Sequence, residues 1–183
     1  MLEEKTTRSF AFGAAAGLTA GLAANAVRKI FVQAPTMMAG QWDDALAAEH
    51  QATLKLFDQI EATEDIHKSR SAILLTQLGH ALAKHALEEE NAVYAALRVH
   101  GQVTEADHLN KDHGYVKQYL FELGSMATDH PQFLPKIRDF RAMIEEHMRE
   151  EEEKIFPALR RVQNEEENAK LTKSMNLEGL KIA

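Results

Sequence analysis

From Gln41 to about residue 163, apolar residues recur with a period close to 3.6. The pattern divides into four runs, near 42–62, 66–99, 104–127 and 131–163. None of them alternates as a half-buried strand does. The breaks hold helix-ending and helix-starting chemistry. Gly101 stands just past the second run, where a left-handed residue closes a helix. Thr104 and Asp107 read as a capping box opening the third run, and Pro131 suits the first turn of the fourth. Short connections favour antiparallel neighbours. The predicted fold is therefore all-α, an up-down antiparallel four-helix bundle.

Outside the bundle the pattern changes. Ser9 to Val27 holds no charge and is mostly Ala and Gly, with Gly13, Gly17 and Gly21 on one face of a helix. Such spacing lets another helix approach closely. An additional N-terminal Ala/Gly-rich helix is expected, serving homo-oligomer assembly or membrane contact. Docking on its own bundle is the plainer alternative. The opening residues do not form a positively charged leader, so no secretory signal is expected. Pro35 and Gly40 interrupt the pattern, and 33–41 reads as a linker. The organisation is then 1–40 for the N-terminal helix and linker, 41–163 for the bundle, and 164–183 for a C-terminal tail that frays or folds back.

Composition narrows the chemistry. At 183 residues the chain supports one domain with a real core and an extra element. A net charge of −7, from 28 acidic and 21 basic residues, argues against nucleic acid as a partner. The absence of cysteine excludes disulfides, thiolate nucleophiles, iron–sulfur clusters and thiolate zinc sites. It is compatible with a reducing cytoplasm, the expected compartment, with membrane association if the N-terminal segment meets lipid. Nine histidines remain, so any metal must be held by imidazole and carboxylate.

Each predicted helix places one histidine on its apolar stripe. His50 shares a face with Leu46, Leu54, Phe57 and Ile60. His85 follows Leu78 and Leu82 and precedes Glu89 and Val93. His113 leads to Val116 and Leu120, and His147 lies between Ile144 and Glu151. The order is duplicated. HALEEENAVYAAL, from His85 to Leu97, is echoed by HMREEEEKIFPAL, from His147 to Leu159, with Tyr94 matched by Phe156. EHQATLKLFDQI, from Glu49, is echoed by DHGYVKQYLFEL, from Asp112. The chain reads as two copies of a helical hairpin, each with a lone His on its first helix and His-x-x-x-Glu on its second.

A single histidine on an apolar stripe is most often a hydrogen-bonded core residue. Four histidines and two glutamates converging at one level need something polar to offset their desolvation. A dication does so, turning neutral imidazoles into ligands and neutralising carboxylates. Residues four apart on a helix stand about 5–6 Å apart at Cβ, within reach of one ion. The candidate ligands are His50, His85, Glu89, His113, His147 and Glu151, with room for two ions bridged by two carboxylates. Glu88 and Glu150 lie about 60° from their histidines; Glu89 and Glu151 lie about 40° away and continue the apolar stripe, so they are preferred. Glu90, Glu152 and Glu153 are assigned to a solvated face. His80 and His108, about 140° round, are outer or surface groups. His67, His100 and His130 are read as helix-end or loop residues.

On His50, His85-x-x-x-Glu89, His113 and His147-x-x-x-Glu151, the last followed by Phe156 to Leu159, the chain resembles the hemerythrin-like, or HHE cation-binding, family over about 41–163. The first 40 residues are unmatched. The resemblance implies a non-haem di-iron centre, its two iron ions oxo- or hydroxo-bridged and spanned by carboxylates. One iron keeps an open position for dioxygen, peroxide or nitric oxide. Respiratory members place two histidines one turn apart on the third helix, where this chain has Leu109 and Lys117 around His113. Oxygen carriers end with a His and an Asp five apart, where this chain has His-x-x-x-Glu. These departures point to sensing, peroxide or nitric oxide chemistry, or iron handling, ahead of reversible oxygen carriage. Whether the centre turns over a substrate is left open. The alternatives are a ferritin-like iron oxidase or store using Glu64-x-x-His67 and Glu105-x-x-His108, and an assembly or membrane-docking protein with a structural metal. Zinc suits the same donors.

Overall fold

A computed structural model describes residues 25–30, 32–63 and 68–183. Gly13, Gly17 and Gly21 of the N-terminal segment, and the Glu64–His67 pair, lie outside the described residues. Helix α1 comprises residues 25–30 and 32–38. It is followed by α2 (Trp42–Glu61), α3 (Lys68–Glu88), α4 (Tyr94–Val99), α5 (Val103–Gly124), α6 (Phe133–Glu150), α7 (Phe156–Val162) and α8 (Glu165–Ile182). Two π-helical turns join helices end to end: π1 (Glu89–Val93) links α3 to α4, and π2 (Glu151–Ile155) links α6 to α7. The described residues contain no strand.

The four periodic runs become four rods. α2 packs on α3 and α6, and α5 packs on α4 and α6, closing the bundle as a ring. Burial of one apolar face per rod explains why the 3.6 period predicts them. The ends differ in detail. α5 begins one residue early, behind Gln102, so Thr104 already lies inside the helix and caps nothing. Asp107 pairs instead with Arg98 at 2.7 Å. α6 begins at Phe133 behind Gln132, which leaves Pro131 in the preceding turn. Gly101 does close α4, at φ +81°.

The expected linker 33–41 is mostly helix. Residues 32–38, Pro35 included, belong to α1, and the break falls at 39–41, where Gly40 takes φ +123°. Tertiary packing outweighs the proline here, since Gln33 and Thr36 are buried against the bundle. Residues 165–182 fold back as α8. Its start is fixed by a reciprocal cap: the Glu167 N–H donates to Asn164 Oδ1, and the Asn164 N–H to Glu167 Oε2, each at 2.9 Å. The Trp42 indole N–H donates to Asn168 Oδ1 at 2.9 Å and holds α8 across α3 and π1. No described helix is long and apolar enough to cross a membrane.

The interior has two apolar cores. Trp42, Leu46, Leu97, Leu109 and Leu159 belong to one, and Phe57, Leu78, Leu123, Ile137 and Phe140 to the other. His50 falls between Leu46 and Phe57, and His113 between Leu109 and Val116, so each lies where its rod passes from one core to the other. His85 and His147 are placed likewise, after Leu82 and Ile144 of one core and before Val93 and Ile155 of the other. A polar layer thus separates two greasy ones.

Candidate metal centre

The two π turns begin on the glutamates of interest. The Tyr94 N–H reaches back five residues to the Glu89 carbonyl, and the Phe156 N–H to that of Glu151. One extra residue per turn rotates the succeeding side chains by about 100° relative to a regular α-helix. Tyr94 and Phe156 are thereby buried. Such turns concentrate at functional sites.

All six candidate ligands meet in the buried layer. His50, His85, Glu89 and Glu151 form one group whose donor atoms all lie within 4.8 Å of one another; Glu89, His113 and His147 form a second, within the same limit. Glu89 belongs to both. Its Oε2 lies 3.2 Å from His85 Nε2 and 3.2 Å from His113 Nε2. Glu151 spans the same gap, with Oε2 3.5 Å from His50 Nε2 and Oε1 3.4 Å from His147 Nε2. His50 and His85 bring their Nε2 atoms to 3.0 Å. Two imidazole nitrogens that close would both be within reach of one ion. Glu89 Oε1, Glu151 Oε2 and His147 Nε2 are buried on the inner side without a hydrogen-bond partner. Stranding those atoms is costly in a protein interior, and coordination to a cation removes the cost. The nitrogen and oxygen donors suit iron, zinc or another first-row dication.

Each imidazole is backed on its outer side. Nδ1 of His85 faces Glu49 at 3.1 Å, and that of His147 faces Asp112 at 3.5 Å. Nδ1 of His113 meets Glu90 at 2.9 Å, and that of His50 meets Glu152 at 2.6 Å. The four acids occupy corresponding places in the two hairpins. Carboxylates so placed fix a ligand's tautomer and raise its basicity. Glu90 and Glu152 therefore do not belong to a merely solvated face, as the wheel projection had them. The duplication of Glu49 as Asp112, and of Glu90 as Glu152, was the available signal. Tyr94 is a further residue that periodicity missed. Its hydroxyl stands 2.9 Å from Glu151 Oε1, 3.3 Å from Glu89 Oε2 and 3.1 Å from His113 Nε2.

The remaining histidines and acids sit elsewhere. His80 and His130 are exposed, and His100 caps α4. His108 is half-exposed, 3.2 Å from Glu150 and 3.7 Å from Asp112. Glu88 is fully buried but turns away from the centre to Lys84, 3.0 Å away, and Gln33, 2.8 Å away.

The hemerythrin HHE cation binding domain matches residues 43–159. The chain belongs to that family. A hemerythrin-like protein of Schizosaccharomyces pombe, itself uncharacterized, is 25% identical over 134 residues, which cover 72% of this chain and 65% of the yeast protein. A DNA nickase of Nostoc sp. is 23% identical over 117 residues, 64% of this chain and 33% of the nickase. The chain therefore spans less than two thirds of either relative. No solved structure matches. With its two donor groups, this is a metal-binding hemerythrin-like protein.

Protons compete with metal in this hemerythrin-like site. Burial works against charge on His50, His85 and His147, yet the facing carboxylates, Glu151 and Glu152, Glu89 and Glu49, and Glu151 and Asp112 respectively, raise all three above the ordinary 6.5. Burial likewise opposes ionisation of Glu89, and His85 and His113 overcome it, holding the carboxyl well below its usual range. Burial, and then the charges of Glu89 and Glu151, push the Tyr94 phenol up, so it keeps its proton and donates. Glu88 is pushed up to about 8 by burial and by the charge of Glu49.

Replacing either a bridging acid or an imidazole tests the ligand set. Glu89→Ala and His147→Ala are each expected to lose at least one bound metal and to lower the melting temperature of the metal-loaded protein, because binding and folding are coupled. Elemental analysis after gel filtration reads this, and full metal content in both variants would refute the assignment. The pH dependence has a definite sign. The ion pairs of the metal-free protein stabilise it below the ordinary histidine value of 6.5, and this contribution fades as pH rises through the raised folded values. Metal binding requires neutral imidazoles and strengthens over the same interval. The gain in melting temperature on adding zinc should therefore grow from pH 6 to pH 8; a gain that shrinks would contradict the assignment.

Proposed function

We propose that this hemerythrin-like chain holds two iron ions and binds, senses or reduces dioxygen, peroxide or nitric oxide. The observation that supports this best is the sharing of Glu89 between two donor groups, with Glu151 spanning the same gap. When bound, an iron pair supplies electrons to a small oxidant. The chain's own residues do the rest. Four imidazoles, each backed by a carboxylate, set the electron density offered to the ions. Tyr94 supplies a hydrogen-bond donor to Glu89 and Glu151, the carboxylates that would hold the metal. Beside His85, His113 and His147 lies a cavity walled by Leu82, Val116, Ile144 and Met148, with about 10 Å³ open to the centre of a water-sized sphere. That is about the least that admits one water molecule, so the space selects for very small ligands.

The ferritin-like alternative is weaker, because Glu105 is exposed and His108 half-exposed, both off the polar layer. The DNA chemistry of the nickase is not carried over: the chain spans a third of that protein, and its charge of −7 disfavours nucleic acid. Protein isolated in air is expected to contain close to two irons per chain and to show near-ultraviolet absorption of a coupled diferric pair that dithionite bleaches. Zinc alone in protein grown with ample iron would overturn the iron reading.

Assembly through the N-terminal segment forms part of the proposal. Val27, the last residue of the uncharged run, and Ile30, just past Arg28 and Lys29, are 67% and 61% exposed on α1. Deleting residues 1–24 leaves Gln33 and Thr36 in place. The truncated protein is expected to keep its metal and to have fewer chains per particle by light scattering; an unchanged number of chains would exclude this role.

A further inference from the structure

The two hairpins are not covered alike. α8 lies across α3 and π1, and α1 sends Gln33 into the seam, so among the described residues only the first hairpin is roofed. Glu88 is fully buried there, whereas its counterpart Glu150 is 27% exposed and paired with His108. Gly179 permits the roof, since a Cβ at that position would collide with Glu88 Oε1 and the Gln33 amide. Two carboxylates, Glu49 and Glu88, thus stand under cover beside His85, and the three form a further group of potential metal donors.

The chain fills that group with a cation of its own. Lys84 is buried; its ammonium bonds Glu49 Oε1 and lies 3.0 Å from both oxygens of Glu88. The other oxygen of Glu49 faces His85 Nδ1 at 3.1 Å. The position matching Lys84 in the second hairpin is Glu146, exposed and paired with Arg149. Among the described residues no buried lysine or arginine pairs with Asp112 behind His147; the half-exposed His108 lies 3.7 Å from it.

We propose that Lys84 is a positioning residue that pins Glu49 against the His85 imidazole, so that the His50–His85 half of the centre holds its metal differently from the His113–His147 half. The inference rests on the two-metal reading of the site. Without the ammonium, Glu49 loses the partner that holds its Oε1, is free to swing away, and leaves His85 unsupported. Loss of such a supporting carboxylate typically lowers metal affinity by about 10–100-fold.

The test is a titration of the full-length, metal-free chain with Co(II). It is followed by visible absorption and by the shifted N–H proton resonances of the ligated imidazoles. The native chain is expected to take up two Co(II). Lys84→Met should weaken one step by about 10–100-fold and lose one imidazole N–H resonance. Asp112→Asn should weaken the other step, and Lys84→Arg should restore the native pattern. If Lys84→Met alone does not fold, the double variant Lys84→Met with Glu88→Gln removes the pair without stranding a buried carboxylate, and it should give the same selective loss. Equal weakening of both steps, no change in either, or loss confined to the step that Asp112→Asn affects would overturn the role of Lys84. Fewer than two Co(II) in the native chain would overturn the two-metal reading, and this inference with it.

Discussion

A bundle that places ionisable side chains in its middle must compensate them there. His50, His85, Glu89, His113, His147 and Glu151 are all nearly or fully buried in that layer. The structure meets the constraint in two shells. Outward, every imidazole leans on a carboxylate that reaches toward the surface. Inward, Glu89 Oε1, Glu151 Oε2 and His147 Nε2 are left with no hydrogen-bond partner. The outer shell makes the imidazoles good electron donors, and the inner shell leaves a demand for positive charge that protons or a metal cation satisfy. The apolar cores above and below keep the layer dry and rigid, which sharpens both effects.

The bundle was legible because burial imposes its period on the sequence. Four stripes of Leu, Ile, Val and Phe predict four rods, and the six candidate ligands sit on those stripes at one level. α8 was harder to read. Its inward face is built on Asn168, Thr172 and Asn176, four apart, which bond Trp42 and Gln33. A helix that docks partly through amides and hydroxyls has a weak apolar period, so its sequence looks like a tail. Pro35 misled for a related reason, since buried Gln33 and Thr36 anchor a helix that the proline alone would have ended.

The π turns were not legible from composition. No residue type marks them, and a wheel drawn at 100° per residue goes out of phase after Glu89 and after Glu151. That slip accounts for two misplacements, the assignment of Glu90 and Glu152 to solvent and the omission of Tyr94 from the centre. The remedy lay in the duplication. Two hairpins that preserve an acid at the same place are unlike a random charged face, and Glu49 with Asp112, like Glu90 with Glu152, repeats in that way.

Inside the polar layer, the near-symmetry of the hairpins is broken by a single oxygen atom: where the second half has the phenyl ring of Phe156, the first has the phenol of Tyr94. Two copies of one hairpin, facing each other across an axis, would offer two seats that no neighbouring group tells apart. A hydroxyl in contact with His113, and no counterpart beside His50, gives the pair a left and a right. Whatever occupies the layer meets a hydroxyl on the His113 side and a bare phenyl ring on the His50 side.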